Sequence, residues 1–440
     1  MFLNSIIIDS FACFKHFTAN FTSGTNVIIG RNGAGKTSLI KGLVYLMNFL
    51  FTNDRSMGDN FLSSGNPDLK MSSIKYNEFY RFKESGESVE YSNLHGKMTF
   101  EGEDITWDMY KKSVPGASLF PSKYVTAYRQ IMTISKEKGK LPLLAYFSDS
   151  FPHKQTNIST FAKSEINNTE GILRNFGYYQ WDNETSCTTI WQMRLLNVMA
   201  KSLSLDEPNS VAAKEVEYIS ETLKSFSHTI NDEADDSYEI VKVFFSFKDG
   251  EKPELWLKLK SSQELAFDML PAGYHRLYSM VLDLAYRSYL INRKNPKEAI
   301  GLVLIDEVDL HLHPSLAMEV VERFQKSFPG IQFIMTTHSP LVVTSLKAEK
   351  GKNQVLRLVA GEKKPHILPD LYGIDYNAGL SDALGVNPTN EDMTYIKNSL
   401  RRAYQRNDSD LIEAKLGELR KLVSEERVNA IVEEIRKRLI

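Results

Sequence analysis

The stretch Asn26-Val27-Ile28-Ile29-Gly30-Arg31-Asn32-Gly33-Ala34-Gly35-Lys36-Thr37-Ser38 constrains this chain more than any other. A short β-branched run marks a buried strand, three glycines make the turn, and Leu39 to Leu46 continues as a helix. Gly30, Gly35, Lys36 and Thr37 satisfy G-x-x-x-x-G-K-[ST] in the strand-to-helix setting that the motif needs. A loop with few Cβ atoms lets successive backbone N–H groups close around a phosphate chain, and a helix N-terminus behind them adds positive partial charge. Lys36 is placed to reach the β- and γ-phosphates and the Thr37 hydroxyl to hold Mg²⁺, so the stretch reads as a nucleoside-triphosphate site.

The rest of the chain has to deliver the acids such a site needs. Ala299-Ile300-Gly301-Leu302-Val303-Leu304-Ile305-Asp306-Glu307 is an apolar strand that ends in two carboxylates. In metal-assisted phosphoryl transfer the first would support the Mg²⁺ shell, and the second would orient and deprotonate the attacking water. These acids lie about 270 residues beyond Lys36, much farther than in a simple P-loop domain, so long excursions must separate the two halves. A further strand, Ile331 to Met335, ends in Thr336-Thr337-His338-Ser339-Pro340, which puts a polar His where ligands collect in open α/β sheets. His311 and His313 alternate as in an extended segment; no third ligand is evident near them, and both read as structural.

Taken in order, residues 3–8 and 18–21 read as a hairpin leading into the phosphate loop, and the helix after the loop runs on to Leu50. From Thr52 to Asn77 the chain is rich in Ser, Asn, Asp and Gly, a surface excursion. Strands resume at Phe79–Phe82 and Gly96–Phe100, and Leu141–Phe147 is a core strand. Between about 150 and 232, Ile190–Leu205 and Val211–Phe226 carry helical spacing, closed by an acidic loop over 231–236. His153 with Tyr178, Tyr179 and Trp181 is either a ligand platform or packing for this insertion. Two strands, Tyr238–Phe247 and Glu254–Leu259, flank a turn at 248–253, and a strongly apolar helix runs from Leu270 to about Ile291.

With 42% apolar and 25% charged residues the 440-residue chain reads as a globular, cytoplasmic protein. Its 53 Lys and Arg against 55 Asp and Glu leave no overall basic field. Cys13 and Cys187 lack metal-ligand spacing and read as reduced. No apolar run is long enough to cross a membrane.

The motifs together resemble the ABC-type ATPases, in the branch of RecF-like, SMC-like and OLD-like proteins. They are the phosphate loop, the signature-like Leu270-Pro271-Ala272-Gly273-Tyr274, Ile305 to Pro314, and Thr336 to Pro340. Asp370-Leu371-Tyr372-Gly373-Ile374-Asp375 and Leu380 to Val386 are similar to bacterial anti-phage ATPases of the Septu (PtuA-like) and retron-associated kind. The resemblance implies an α/β fold: an ABC-type P-loop NTPase with a mixed sheet, a helical insertion and a helical C-terminal tail. It implies ATP and Mg²⁺ as cofactors, with Gly30, Arg31, Asn32, Gly33, Ala34, Gly35, Lys36, Thr37 and Ser38 on the nucleotide. Thr37 and Asp306 would hold Mg²⁺, Glu307 would be the catalytic carboxylate, and His338 would sense the γ-phosphate. Gly273 would touch the γ-phosphate bound by a second subunit, which implies a homodimer closed as an ATP sandwich, or a higher oligomer.

Two positions depart from the family pattern: Pro271 stands where Ser is usual, and Ala12 stands where an Arg is often found. Both weaken activation of hydrolysis across such a dimer. The family's Q-loop glutamine is not placed by the sequence; Gln130 is one candidate.

The domain layout expected is an ATPase half over 1–150, a mainly helical insertion over 151–235, the second ATPase half over 236–365 and a helical tail over 366–440. The tail's Asp408-Ser409-Asp410 lies in a helical, charged stretch rather than after an apolar strand, so no fused nuclease is expected. Residues 390–440 read as amphipathic helices, either a solvated cap or a docking surface. Three functions follow: an ATPase subunit of an anti-phage system controlling a separate nuclease of the HNH type, a RecF/SMC-like DNA-repair ATPase, or a slow-turnover ATP-loaded scaffold. A reverse transcriptase with its non-coding RNA, or DNA, is the further partner of the first.

Overall fold

A computed structural model describes the chain except for residues 53, 55–64, 81–88, 153–157, 183–187, 206–208, 231–236, 249–251, 384, 386–390 and 438–440. His153, Cys187, the acidic loop 231–236, the centre of the turn at 248–253, and Leu384 and Val386 of the tail motif lie outside the described residues. The described residues form two compact units, Met1–Tyr376 and Asn377–Ile440.

The first unit opens with the expected hairpin, β1 (Phe2–Phe11) and β2 (Phe14–Asn20), which runs into β3 (Thr25–Gly30) and α1 (Lys36–Met47). Leu3, Ile6, Ile8 and Phe11 of β1 are buried; only Ile6 and Ile8 keep strict alternation, and the pairing with β4 shifts register between Leu3 and Ser5. After the 52–90 stretch, β4 (Tyr91–Phe100) and β5 (Glu103–Lys112) complete an antiparallel sheet of order β2-β1-β4-β5. The polar composition of 52–77 points to surface, but Asn66, Leu69 and Ile74 are buried. Lys111 of β5 reaches over to them, donating to Ser73 Oγ at 3.1 Å and Ile74 O at 2.5 Å, so tertiary hydrogen bonds fix part of this stretch. Phe79 makes a single bridge to Phe11; residues 81–82 of the strand expected there are not described.

Helix α2 (Val125–Lys138) leads to β6 (Leu143–Phe147), followed by α3 (Thr160–Asn167), α4 (Thr188–Leu205) and α5 (Val211–Ser227). A small antiparallel sheet, β7 (Ile240–Lys248), β8 (Lys252–Leu259) and β9 (Glu264–Ala266), precedes α6 (Ala272–Ile291). Then come β10 (Gly301–Ile305), α7 (Pro314–Ser327), β11 (Ile331–Thr336), the short α8 (Pro340–Thr344), β12 (Gln354–Leu358) and β13 (His366–Ile367).

The central sheet has the order β13-β12-β3-β11-β10-β6, with all neighbours parallel except β12 and β13. Strands β3, β6, β10 and β11 are buried along their whole length, as parallel strands covered on both faces must be. Register decides which strand ends meet. Ile28 pairs with Thr336, Met335 with Ile305, and Ile305 with Phe147, so the C-terminal ends of four strands lie along one edge. Chain segments far apart in sequence are thereby laid side by side.

The helices between 160 and 227 are knitted into the core. Helices α4 and α5 pack on α6, and Trp191 stacks on Tyr286 at 5.1 Å. Three fully paired arginines hold this layer: Arg194 on Glu215, Arg287 on Asp283 and Arg323 on Glu319, every one buried. Buried charges of this kind survive only when paired and hydrogen-bonded, and breaking one pair costs about 3–5 kcal/mol. Tyr178, Tyr179 and Trp181 are buried too, with Phe51 against Tyr178 and Trp181.

The second unit completes α9 (Tyr376–Asp382), which starts at the boundary, and adds α10 (Glu391–Arg406), α11 (Ser409–Leu422) and α12 (Glu425–Lys437). Its core is Ile396, Leu400, Leu419, Val428, Ile431 and Ile435. Asp408 caps α11, its carboxylate accepting from Leu411 N–H at 3.1 Å, which is an ordinary structural use of an acid at a helix start. No helix among the described residues is long and apolar enough to cross a membrane.

Candidate active site

The phosphate loop leaves β3 at Gly30 and enters α1 at Gly35, whose backbone is left-handed with φ 97°. A Cβ there would also meet Phe14 at 2.6 Å and Cys13 Sγ at 2.8 Å, so glycine is required on both counts. The same contact presses the Ala12-Cys13-Phe14 turn onto the start of α1. Arg31, Asn32, Gly33 and Thr37 are exposed, Ala34 and Lys36 are buried, and Ser38 is half-buried. The α1 N-terminus has no side-chain cap, which leaves its first N–H groups for a ligand. Lys36 Nζ donates to Gly30 O at 2.9 Å and to Arg31 O at 3.4 Å, folding the ammonium back over its own loop. Burial lowers its pKa from the ordinary lysine value, while the fields of Asp306, Glu307 and Asp309 oppose that shift.

On β10 the carboxylate turn is held by threonines that the sequence reading passed over. Thr336 Oγ1 donates to Asp306 Oδ1 at 2.5 Å and accepts from Glu307 N–H at 2.8 Å. Thr337 Oγ1 donates to Asp309 Oδ1 at 2.5 Å and accepts from Ser339 N–H at 2.9 Å. Asp306 is buried, and Glu307 is half-buried with a left-handed backbone, φ 51°, which is uncommon for a residue with a Cβ. The Val308 N–H to Thr336 O bond, 3.0 Å, helps to hold that conformation. The signal that could have found these threonines is plain in retrospect: two buried hydroxyls at the end of an apolar strand need partners.

His338 follows directly, exposed in a depression shared with Asp309, Leu312 and Ala317. His313 is the residue before α7 and pairs with Ser315 Oγ at 2.9 Å, while His311 has a left-handed backbone, φ 64°. Gln130 sits at an exposed position of α2. Among the described residues no group of three or more His, Cys, Asp or Glu is arranged to hold a metal.

The signature-like turn lies against the carboxylate turn of the same chain. Pro271 precedes α6 without a side-chain hydrogen bond to the helix. Gly273 is buried, and a Cβ on it would meet His311 O at 2.5 Å. One turn on, the sequence reading also missed Arg276, which is almost wholly buried. Its Nη2 donates to Asp306 O at 2.9 Å, Ser148 O at 3.2 Å and Glu307 O at 3.3 Å. Its Nη1 donates to Asp149 O at 3.0 Å and to Phe151 O. Burial brings its pKa down to about 10, against the opposing fields of Asp149, Glu307, Asp306 and Asp309.

The family model of the AAA ATPase domain matches residues 1–343. The chain belongs to this family. Among relatives within reach of sequence, the probable ATPase of retron Vc95 from Vibrio cholerae serotype O1 biovar El Tor is 25% identical over 430 residues, covering 86% of this chain and 78% of that one. The Septu protein PtuA of Bacillus mycoides is 43% identical over 77 residues, 18% of this chain and 11% of its own length. Among solved structures, an SMC head bound to the C-winged helix domain of ScpA aligns at TM-score 0.48 and 12% identity, covering 84% of this chain and 98% of that chain. As an AAA ATPase domain, the chain carries an α/β nucleotide-binding core with a mixed central sheet.

Proposed function

We propose that this AAA ATPase domain protein is the ATP-hydrolysing, ABC-type subunit of a bacterial anti-phage defence system, and that it controls a separate effector nuclease. The observation that carries the reading is the register that lays the ends of β3, β11 and β10 side by side, so that the loop leading to Lys36 emerges beside the turns that carry Asp306, Glu307 and His338. The similarity to retron and Septu proteins supports the defence context.

The residues present fit a triphosphate with a divalent cation. The exposed loop 31–33 and the uncapped α1 start offer N–H donors to phosphate oxygens. Lys36 can exchange its loop carbonyls for β- and γ-phosphate oxygens. Thr37 and Asp306 are the residues that would hold a divalent cation there. A cation held there would supply neutralisation of the triphosphate's charge. Glu307 orients the attacking water and takes its proton, and the exposed His338 contacts the γ-phosphate. Two chains close as a homodimer over two nucleotides, each offering Gly273 to the nucleotide of the other.

A second reading, a slow-turnover ATP-loaded scaffold, draws on Pro271 and Ala12. Neither supplies the hydroxyl or the guanidinium that the related pattern has at those positions. Hydrolysis measured on the purified chain with ATP and Mg²⁺ tests the first reading against the second; turnover below about one per hour would favour the scaffold. The same preparation incubated with plasmid and single-stranded DNA is expected to leave both intact. Nicking that disappears in Asp306→Ala would mean that this chain carries its own nuclease.

A further inference from the structure

The buried Arg276 has more hydrogen-bonding reach than helix packing needs. Its fork grips the carbonyls of Ser148, Asp149 and Phe151, at the end of β6, and those of Asp306 and Glu307, at the end of β10. The planar, five-donor guanidinium can span two groups of carbonyls at once, whereas a lysine ammonium cannot. One helical turn earlier, Gly273 touches the His311 carbonyl so closely that no side chain fits between. The start of α6 is thus pinned to the carboxylate turn at both of its ends, Asp306–Glu307 and His311. The turn has little freedom of its own, with left-handed backbone at Glu307 and at His311.

We infer that Arg276 is a positioning residue that makes the signature turn and the carboxylate turn one mechanical body, so that displacement of Gly273 is delivered to the backbone of Glu307. The inference rests on the ATPase reading for its catalytic consequence, but the link itself is a property of this chain. A force on the α6 N-terminus from a nucleotide held by a second subunit would reset the Glu307 carboxylate of the subunit that donates Gly273. The physical warrant is the set of shared hydrogen bonds, not mere proximity.

Arg287 supplies a matched control. It lies on the same helix, is equally buried, and also grips backbone, donating to Gly177 O at 2.9 Å and Tyr179 O at 3.2 Å. Those carbonyls belong to the packing layer, not to the turns at the sheet edge. The experiment compares full-length Arg276→Lys and Arg287→Lys, each keeping the charge and losing the fork. Arg276→Gln is added because its lost charge should deepen the same defect. Two readouts are taken: amide hydrogen exchange, and kcat with the ATP dissociation constant measured separately.

Arg276→Lys is expected to raise exchange over 148–151 and 306–311 and to lower kcat about tenfold with ATP affinity within about twofold, the mark of a misplaced catalytic group. Arg287→Lys should raise exchange near 177–179 and leave kcat per folded molecule within about twofold. Unchanged exchange over 306–311 in the Arg276 variants would overturn the link, as would equal losses of kcat in the two lysine variants. Wild-type protein that neither binds nor turns over ATP would instead refute the ATPase reading, and the exchange data would still decide whether the link exists.

Discussion

Gly35 and Gly273 each stand at the start of a helix with no side-chain cap, yet their surroundings are opposites. At Gly35 the preceding residues 31–33 are exposed, and Lys36 is bent back over the loop. At Gly273 the glycine is buried against a backbone carbonyl, and Arg276 fastens the helix to the turn that carries the acids. One glycine-initiated helix is an open cradle; the other is a clamped joint. A cradle should fail by losing ligand, and a joint should fail by losing turnover while ligand still binds.

The largest effect that would sharpen this contrast belongs to the cradle. Lys36→Ala is expected to weaken ATP binding by about 100-fold or more, since it removes the ammonium folded over the loop. A dissociation constant within a few-fold of the parent, measured by titration calorimetry, would take Lys36 out of the site. The acid turn should respond in the opposite way. Glu307→Gln is expected to cut single-turnover hydrolysis by about 100- to 1,000-fold while ATP binds as before, because the amide cannot accept the water's proton. An undiminished rate would sink the assignment of that carboxylate.

A smaller effect tests the joint directly. Gly273→Ala places a methyl group 2.5 Å from His311 O, and backbone at that range cannot give way cheaply. A stability loss of about 1–3 kcal/mol is expected, with reduced turnover and near-parental ATP affinity. Loss of ATP affinity before turnover would break the comparison. The smallest effect is expected at the tail. A chain ending before Pro388 removes most of the Asn377–Ile440 unit, whose core is self-contained. Its ATP affinity should stay within about twofold, and we propose that it loses the effector nuclease in a pull-down with that subunit. An ATP site that collapses on truncation would refute the separation.

Much of this architecture could be read without coordinates, and the reason differs from element to element. The phosphate loop was legible because its residue types answer to a local geometry: a strand, a turn with left-handed backbone, and a helix start. β10 and β11 were legible because parallel strands covered on both faces must be continuous apolar runs. β9 escaped notice because three residues carry no periodicity, and part of the 52–77 stretch proved buried because Lys111, from a distant strand, supplies its hydrogen bonds.

What sequence alone determined is local: the fold class, the two helices with a glycine at or beside their starts, and the strands that deliver Asp306, Glu307 and His338. Only the tertiary structure decided who meets whom. The order β3-β11-β10-β6 and its register put residues hundreds of positions apart on one edge. The partners of Arg276 are backbone carbonyls, and carbonyls leave no mark in a sequence because every residue has one. Thr336 and Thr337 are hidden for a related reason. Their hydroxyls suit a strand end of any kind, and only the approach of β10 turns them into holders of the acid turn.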